Sequence, residues 1–240
     1  MFDIFKKYNV IAAVSERRDG SMKVYADSSE EDGVKENRKI FLDGLGVEME
    51  NSVTAYLTHG DSIALVGKGD GGKFFDTTDG FVTKDKDVFL TVTVSDCLPV
   101  FLFDPEAEVL GLAHAGWGGL EKGIISKAVG MMKESGATAE NILVAIGPGM
   151  EKCHYEVGSE LADKFAHIPG SFEVRDRKIF LDTKAIAKHQ LLEEGIAAGN
   201  IETSPECTFR EKEKYFSYRR DSYGRPEKLE AMMAIFGMRS

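Results

Sequence analysis

The sequence predicts an α+β fold in a single domain, residues 1–240. Three observations carry this. Short β-branched runs bounded by turn residues recur along the chain. A few segments repeat apolar residues at helical spacing. No βαβ alternation, internal repeat or Pro-rich linker organises or divides them. Apolar residues make up 42% of the 240 positions and charged residues 29%, which permits a buried core and argues against disorder.

Two strands, Val10–Val14 and Met22–Ala26, are expected around an Asp19-Gly20 turn. Val34–Leu45 carries apolar residues at helical spacing and runs into Gly44 and Gly46. Val53–Leu57 and Ile63–Val66 read as strands flanking Thr58-His59-Gly60-Asp61. Residues 67–80, rich in Gly and Asp, read as an exposed loop whose length suggests a lid or rim. Val88–Val94, Val100–Phe103 and Val109–Ala113 are the most strand-like stretches, the last two joined by an Asp104-Pro105 turn. Leu120–Ser135 repeats apolar residues four apart and predicts one helix capped by Gly136. Ile142–Ile146 is a strand. Asp182 caps a helix over Thr183–Glu194 that Gly195 ends. Met232–Phe236 closes the chain as a strand.

The formal net charge is −10. An acidic surface repels nucleic acid and anionic membranes, so neither is expected as a partner. The start of the chain lacks the apolar stretch of a secretion signal, and the longest apolar run, Leu98–Phe103, is far short of a membrane span. A cytoplasmic location is the simplest expectation. Cysteines at 97, 153 and 207 are odd in number and scattered, which argues against a disulfide framework.

Four segments combine reactive side chains with Gly or Pro beyond what packing needs: residues 58–61, 95–99, 114–119 and 217–221. Cys97 and His114 both follow strands. Such a pair is either a nucleophile with its base or two ligands of a borderline cation. The Gly-rich run after His114 lets backbone approach a ligand closely. His59 also follows a strand. With it the set becomes two imidazoles and one thiolate, the three-donor pattern of catalytic zinc with one position left open. Asp96, beside Cys97, suits an acid/base role or support of a ligand. Arg219 and Arg220 lie among Tyr215, Phe216 and Tyr218 and suit anion binding. Trp117 suits stacking on a base, and Tyr155 a cleft wall. Cys153 reads as a packed thiol or a wall residue, and Cys207 as structural.

Several stretches together resemble the laccase-domain family, once called multicopper polyphenol oxidases and now often described as purine nucleoside phosphorylases. The peptidoglycan-editing factor belongs to the same group. The stretches are HGD at 59–61, TDGFVT at 78–83, SDCLPVFLFDP at 95–105, LAHAGWGG at 112–119, AIGPGMEKCHYEVG at 145–158, ECTF at 206–209 and FSYRRDSYGR at 216–225. The resemblance implies a β-sandwich core covered by helices and zinc at His59, Cys97 and His114. It also implies phosphorolysis of adenosine, inosine and related nucleosides such as methylthioadenosine, with adenosine deamination as a side activity. Nucleoside and phosphate are then the expected partners. Gly118 stands where the family usually carries Arg, so another cation must hold the phosphate, and Arg225 joins Arg219 and Arg220 as a candidate. An amidase acting on a peptidoglycan precursor is the alternative. Copper in place of zinc, as in a polyphenol oxidase, ranks lower: a multicopper centre needs more imidazoles than five histidines supply, and His-x-His pairs are absent.

Overall fold

The computed structural model describes residues 2–24 and 32–240. In chain order the regular elements are β1 (Val10–Val14), α1 (Asp32–Gly44), β2 (Ser52–Ala55), β3 (Ile63–Leu65), β4 (Phe74–Phe75), β5 (Gly80–Thr83) and β6 (Phe89–Val94). Then come β7 (Leu98–Asp104), β8 (Val109–Ala115), α2 (Trp117–Lys122), α3 (Ile124–Glu134) and β9 (Leu143–Ile146). The remainder are β10 (Glu156–Val157), α4 (Ser159–Lys164), β11 (Phe172–Arg175), β12 (Lys178–Leu181), α5 (Thr183–Glu193), β13 (Ile201–Thr203) and β14 (Met232–Met238).

Two mixed sheets form the centre, ordered β1-β14-β6-β2-β4 and β13-β9-β7-β8-β5-β3. The side-chain period of two gives each strand two apolar faces, and both are used. Leu90, Val92 and Val94 of β6 and Phe236 of β14 meet Phe101 and Phe103 of β7 and Leu110 and Leu112 of β8 between the sheets. The rings of Phe101 and Phe236 cross at 89°, 5.4 Å apart, an edge-to-face pair bridging the two layers. The opposite face of β7 and β8, with Leu98, Val100, Leu102 and Ala113, packs on α3 and α5. Phe89, Met233 and Ile235 face outward from the first sheet onto Leu42 of α1. The result is a β-sandwich with a helical layer on each side. Each buried apolar side chain contributes about 1.5–3 kcal/mol, which explains why the densest apolar runs, β6 to β8, hold the centre. A small antiparallel sheet, β10-β12-β11, flanks this core.

Most expected elements are present within a residue or two. Three readings differ. Met22 donates one backbone bond to Ala231 and residues 22–24 then leave the sheet, so no second strand forms there; Ala26 lies outside the described residues. Residues 67–80 are not one loop: β4 pairs with β2, and Gly80 already begins β5. The single helix expected from Leu120 is two, α2 and α3, parted at Gly123 with φ +86°. The short strands β10 to β13 and helix α4 lack the length that periodicity needs to reveal them. No helix among the described residues is long and apolar enough to cross a membrane.

A Cβ at Gly123 would meet nothing within 4 Å, so replacing it strains only the backbone. Gly123→Ala is expected to cost about 1–2 kcal/mol, the left-handed penalty of a residue with a Cβ. Thermal denaturation checks this. An unchanged Tm would mean that α2 and α3 can join as one helix.

Candidate metal centre

Three strand ends meet at one edge of the sandwich. His59 follows β2 of the first sheet, with left-handed backbone at φ +57°. Cys97 lies in the Ser95-Asp96-Cys97 connection that carries the chain from β6 in one sheet to β7 in the other, next to Asp96 at φ +82°. His114 sits within β8, paired with Pro99 of β7. The donor atoms of the three side chains all lie within 4.8 Å of one another. The imidazole rings of His59 and His114 meet edge to face at 84°, with centroids 4.9 Å apart. A Cβ on Gly116 would come within 2.8 Å of the Cys97 sulfur, and one on Gly119 within 2.7 Å of the Gly60 carbonyl oxygen. Those two glycines let the 114–119 segment close on the 58–60 loop.

Asp79 holds this arrangement. It is fully buried just before β5, the neighbour of β8. Its carboxylate accepts from the backbone N–H of Thr58 (3.2 Å), His59 (2.8 Å) and Gly60 (2.8 Å) and from the Thr58 hydroxyl (2.7 Å). It also lies 3.1 Å from His114 Nδ1, which leaves Nε2 to turn toward Cys97. Its carbonyl accepts the His114 backbone N–H at 2.8 Å. Burial raises the carboxyl's pKa, but the bonds from His114, Thr58 and Gly60 outweigh it and hold it well below the usual carboxylate range. Sequence reasoning gave Asp79 no role. The signal was the Thr78-Asp79-Gly80 triplet ending the Gly/Asp-rich stretch, directly before a strand beside His114.

Without a bound cation the cysteine and histidine polarise one another. Burial opposes ionisation of Cys97, yet the charge of His114 and hydrogen bonds from His114 and His59 bring its thiol down to about 6. Burial likewise disfavours the His114 cation, but the Cys97 thiolate and Asp79 push its pKa up to about 9. A thiolate with two imidazoles is a donor set suited to zinc, and the group faces a cavity rather than a fourth side chain. The Ser95 hydroxyl, buried on the same wall, has no partner within the protein. These residues therefore fit a metal ion with one exchangeable position.

The cavity measures about 530 Å³. Trp117, Tyr155, Tyr218 and Tyr223 give it aromatic walls. Arg219 is the one guanidinium bordering it among the described residues, held between the rings of Tyr155 (5.2 Å) and Tyr223 (5.0 Å). It spends one bond on the Glu156 carbonyl (2.8 Å). Arg220 and Arg225 do not border the cavity. All five Arg220 donors are used inside the protein, on both Asp221 oxygens and on the carbonyls of Thr208, Phe209 and Tyr215. Arg225 is exposed and donates to the Asp221 carbonyl. Asp96 accepts from the Thr208 hydroxyl (2.6 Å), the Ser217 hydroxyl (3.0 Å) and the Arg219 backbone N–H (2.7 Å). Enclosure raises its pKa against those bonds. Cys153, His154 and Cys207 do not border the cavity.

A profile described as multi-copper polyphenol oxidoreductase laccase matches residues 12–232. The chain belongs to this family. Purine nucleoside phosphorylase YlmD of Bacillus subtilis (strain 168) is 31% identical over 86% of this chain and 77% of that protein. Adenosine deaminase RL5, from an unknown prokaryotic organism, is 30% identical over 73% of this chain and 72% of that protein. The crystal structure of YlmD from Geobacillus stearothermophilus superposes with a TM-score of 0.90 at 27% identity, covering 100% of this chain and 94% of that one. This family membership agrees with the resemblance read from the motifs, and the mixed sandwich agrees with the fold it implied.

Two outcomes test the centre. Asp79→Asn keeps the size of the side chain but loses its charge, so zinc affinity should fall about 10–100-fold in competition with a chromophoric chelator. Undiminished affinity would remove Asp79 from the centre. In metal-free protein, Cys97 is expected to alkylate with a midpoint near pH 6, the thiolate being present above it and lost below. Cys153, pushed up to about 11, should stay largely unmodified at neutral pH.

Proposed function

We propose that this chain is a zinc-dependent purine nucleoside phosphorylase acting on adenosine, inosine and related nucleosides. The observation that carries the reading is an aromatic-walled cavity bordered by both the His59–Cys97–His114 set and the unsaturated guanidinium of Arg219. The names of the curated relatives support it.

Phosphorolysis needs two things held in one cavity, a flat aromatic base and a phosphate. In this reading Trp117 and Tyr155 face the purine, whose π surface suits stacking. Arg219 keeps four N–H donors for phosphate, a planar fork that matches two phosphate oxygens. The two flanking tyrosine rings hold the guanidinium in place before phosphate arrives. A phosphate oxygen then attacks the ribose C1′, the bond from C1′ to the purine nitrogen breaks, and its electron pair leaves with the base. Asp96 is a positioning residue here, since its carboxylate holds the backbone of Arg219 and the hydroxyl of Ser217. Zinc held by His59, Cys97 and His114 would supply Lewis acidity toward a polar atom of the bound nucleoside. Asp79, itself bonded by the Thr58 hydroxyl, holds the backbone of His59 and the ring of His114 in place.

Product analysis decides the reading. Inosine or adenosine with zinc-loaded protein in phosphate should give free base and ribose 1-phosphate in equal amounts. Neither product would end it. The phosphate-free arm reads deamination, which the relative named adenosine deaminase favours as a second activity: adenosine should then give inosine.

The arginines separate binding from stability. Arg219→Ala should lower kcat/KM for phosphate by about 10–100-fold, the worth of charge-assisted hydrogen bonds, with Tm nearly unchanged. Arg220→Ala removes the donor to the Thr208 and Phe209 carbonyls, while Arg17 still holds Asp221 and the Tyr215 carbonyl; it should cost about 1–3 kcal/mol of stability and shows itself as a lowered Tm. The reverse pattern would assign phosphate to Arg220.

A further inference from the structure

A second group of soft donors lies outside the cavity. Cys153, His154 and Cys207 place one donor atom each within 4.8 Å of one another. Cys207 is fully buried, and Cys153 and His154 are half-buried. The two sulfurs are 3.7 Å apart, and His154 Nδ1 lies 2.9 Å from Cys153 Sγ and 3.8 Å from Cys207 Sγ. Two sulfurs each ~2.3 Å from one tetrahedral zinc stand ~3.8 Å apart. A disulfide would need them at ~2.05 Å. The sulfur spacing therefore matches a shared cation and not a bond between the sulfurs; His154 Nδ1, hydrogen-bonded to Cys153 at 2.9 Å, would draw back by about half an ångström to the ~3.5 Å that a nitrogen and a sulfur on one zinc require.

The surroundings shape the site for a cation that brings its own driving force. His154 is stacked on Phe209, with centroids 4.6 Å apart at 23°, which fixes the plane of its ring. Glu151 is taken by Lys184 (2.9 Å) and by Arg210 (3.7 Å), so thiolates and imidazole, not carboxylate, form the donor set.

We propose that Cys153, His154 and Cys207 form a second zinc site, independent of the cavity centre and structural in role. Binding releases two thiol protons to solvent and joins two segments far apart in sequence. One segment carries Tyr155 into the cavity wall. The other carries Thr208, whose hydroxyl bonds Asp96 beside Cys97. The segments already touch through a bridge between Gly149 and Cys207 and through Lys184, whose ammonium reaches Glu151, Ser204 and Glu206. An ion at this point clamps the same joint a third time and steadies the wall of the cavity from behind.

The test uses the full chain with Cys97→Ser, so that any thiolate signal comes from the second site. Cobalt(II) added to the reduced, metal-free variant should produce a thiolate-to-cobalt charge-transfer band saturating at one ion per chain. Zinc should displace it and raise Tm by roughly 5–10 °C at a hundredfold excess over Kd. Adding Cys153→Ala should abolish both effects, and His154→Gln, which leaves both sulfurs and the buried Cys207 in place, should weaken zinc binding at least tenfold. Absence of the band in the Cys97→Ser protein, or an equal band after Cys153→Ala, overturns the proposal. So does native protein two hydrogens lighter than its reduced form with Cys153 joined to Cys207. None of these readings depends on nucleoside turnover.

Discussion

The candidate centre depends on one buried carboxylate. Asp79 is surrounded by donors: three backbone N–H groups, a hydroxyl and an imidazole. Burying a charge is tolerable only when such bonds replace its water. The same bonds impose the left-handed turn at His59 and aim His114 toward the thiol. Solvation of one anion and alignment of two ligands are thus a single arrangement.

A second carboxylate repeats this logic on the other side of Cys97. Asp96 gathers Thr208, Ser217 and the backbone of Arg219, each from a segment more than a hundred residues later. The cavity wall is therefore tied to the same short connection that presents the sulfur. Arg220 completes this frame from outside, binding the carbonyls of Thr208, Phe209 and Tyr215, which all precede the Ser217 turn.

The strands of the centre were legible because β6, β7 and β8 are dense in β-branched and apolar residues, and both faces of each are buried. His59, Cys97 and His114 were legible as reactive groups placed after strands and beside glycine. Asp79 was not, because a carboxylate in a Gly/Asp-rich stretch looks like a solvated loop; only the register of β5 against β8 gives it His114 as a neighbour. Arg219 and Arg220 are equivalent in sequence. The π-helical turn Tyr218–Ser222 separates them, sending one guanidinium to the cavity and the other into the protein. The pairing of Cys153 with Cys207 joins residues 54 apart, and no local pattern encodes it.

The Ser95-Asp96-Cys97 connection belongs to both layers of the sandwich at once. His59 extends from the first layer and His114 lies in the second, with the sulfur at the crossing between them. Any slippage of one sheet over the other must therefore pull the three donors apart. The geometry of the centre is in effect a gauge of how well the two sheets are aligned. Breathing of the sandwich, together with motion of the 58–60 loop that carries the exposed His59, then sets how long the reactive arrangement persists.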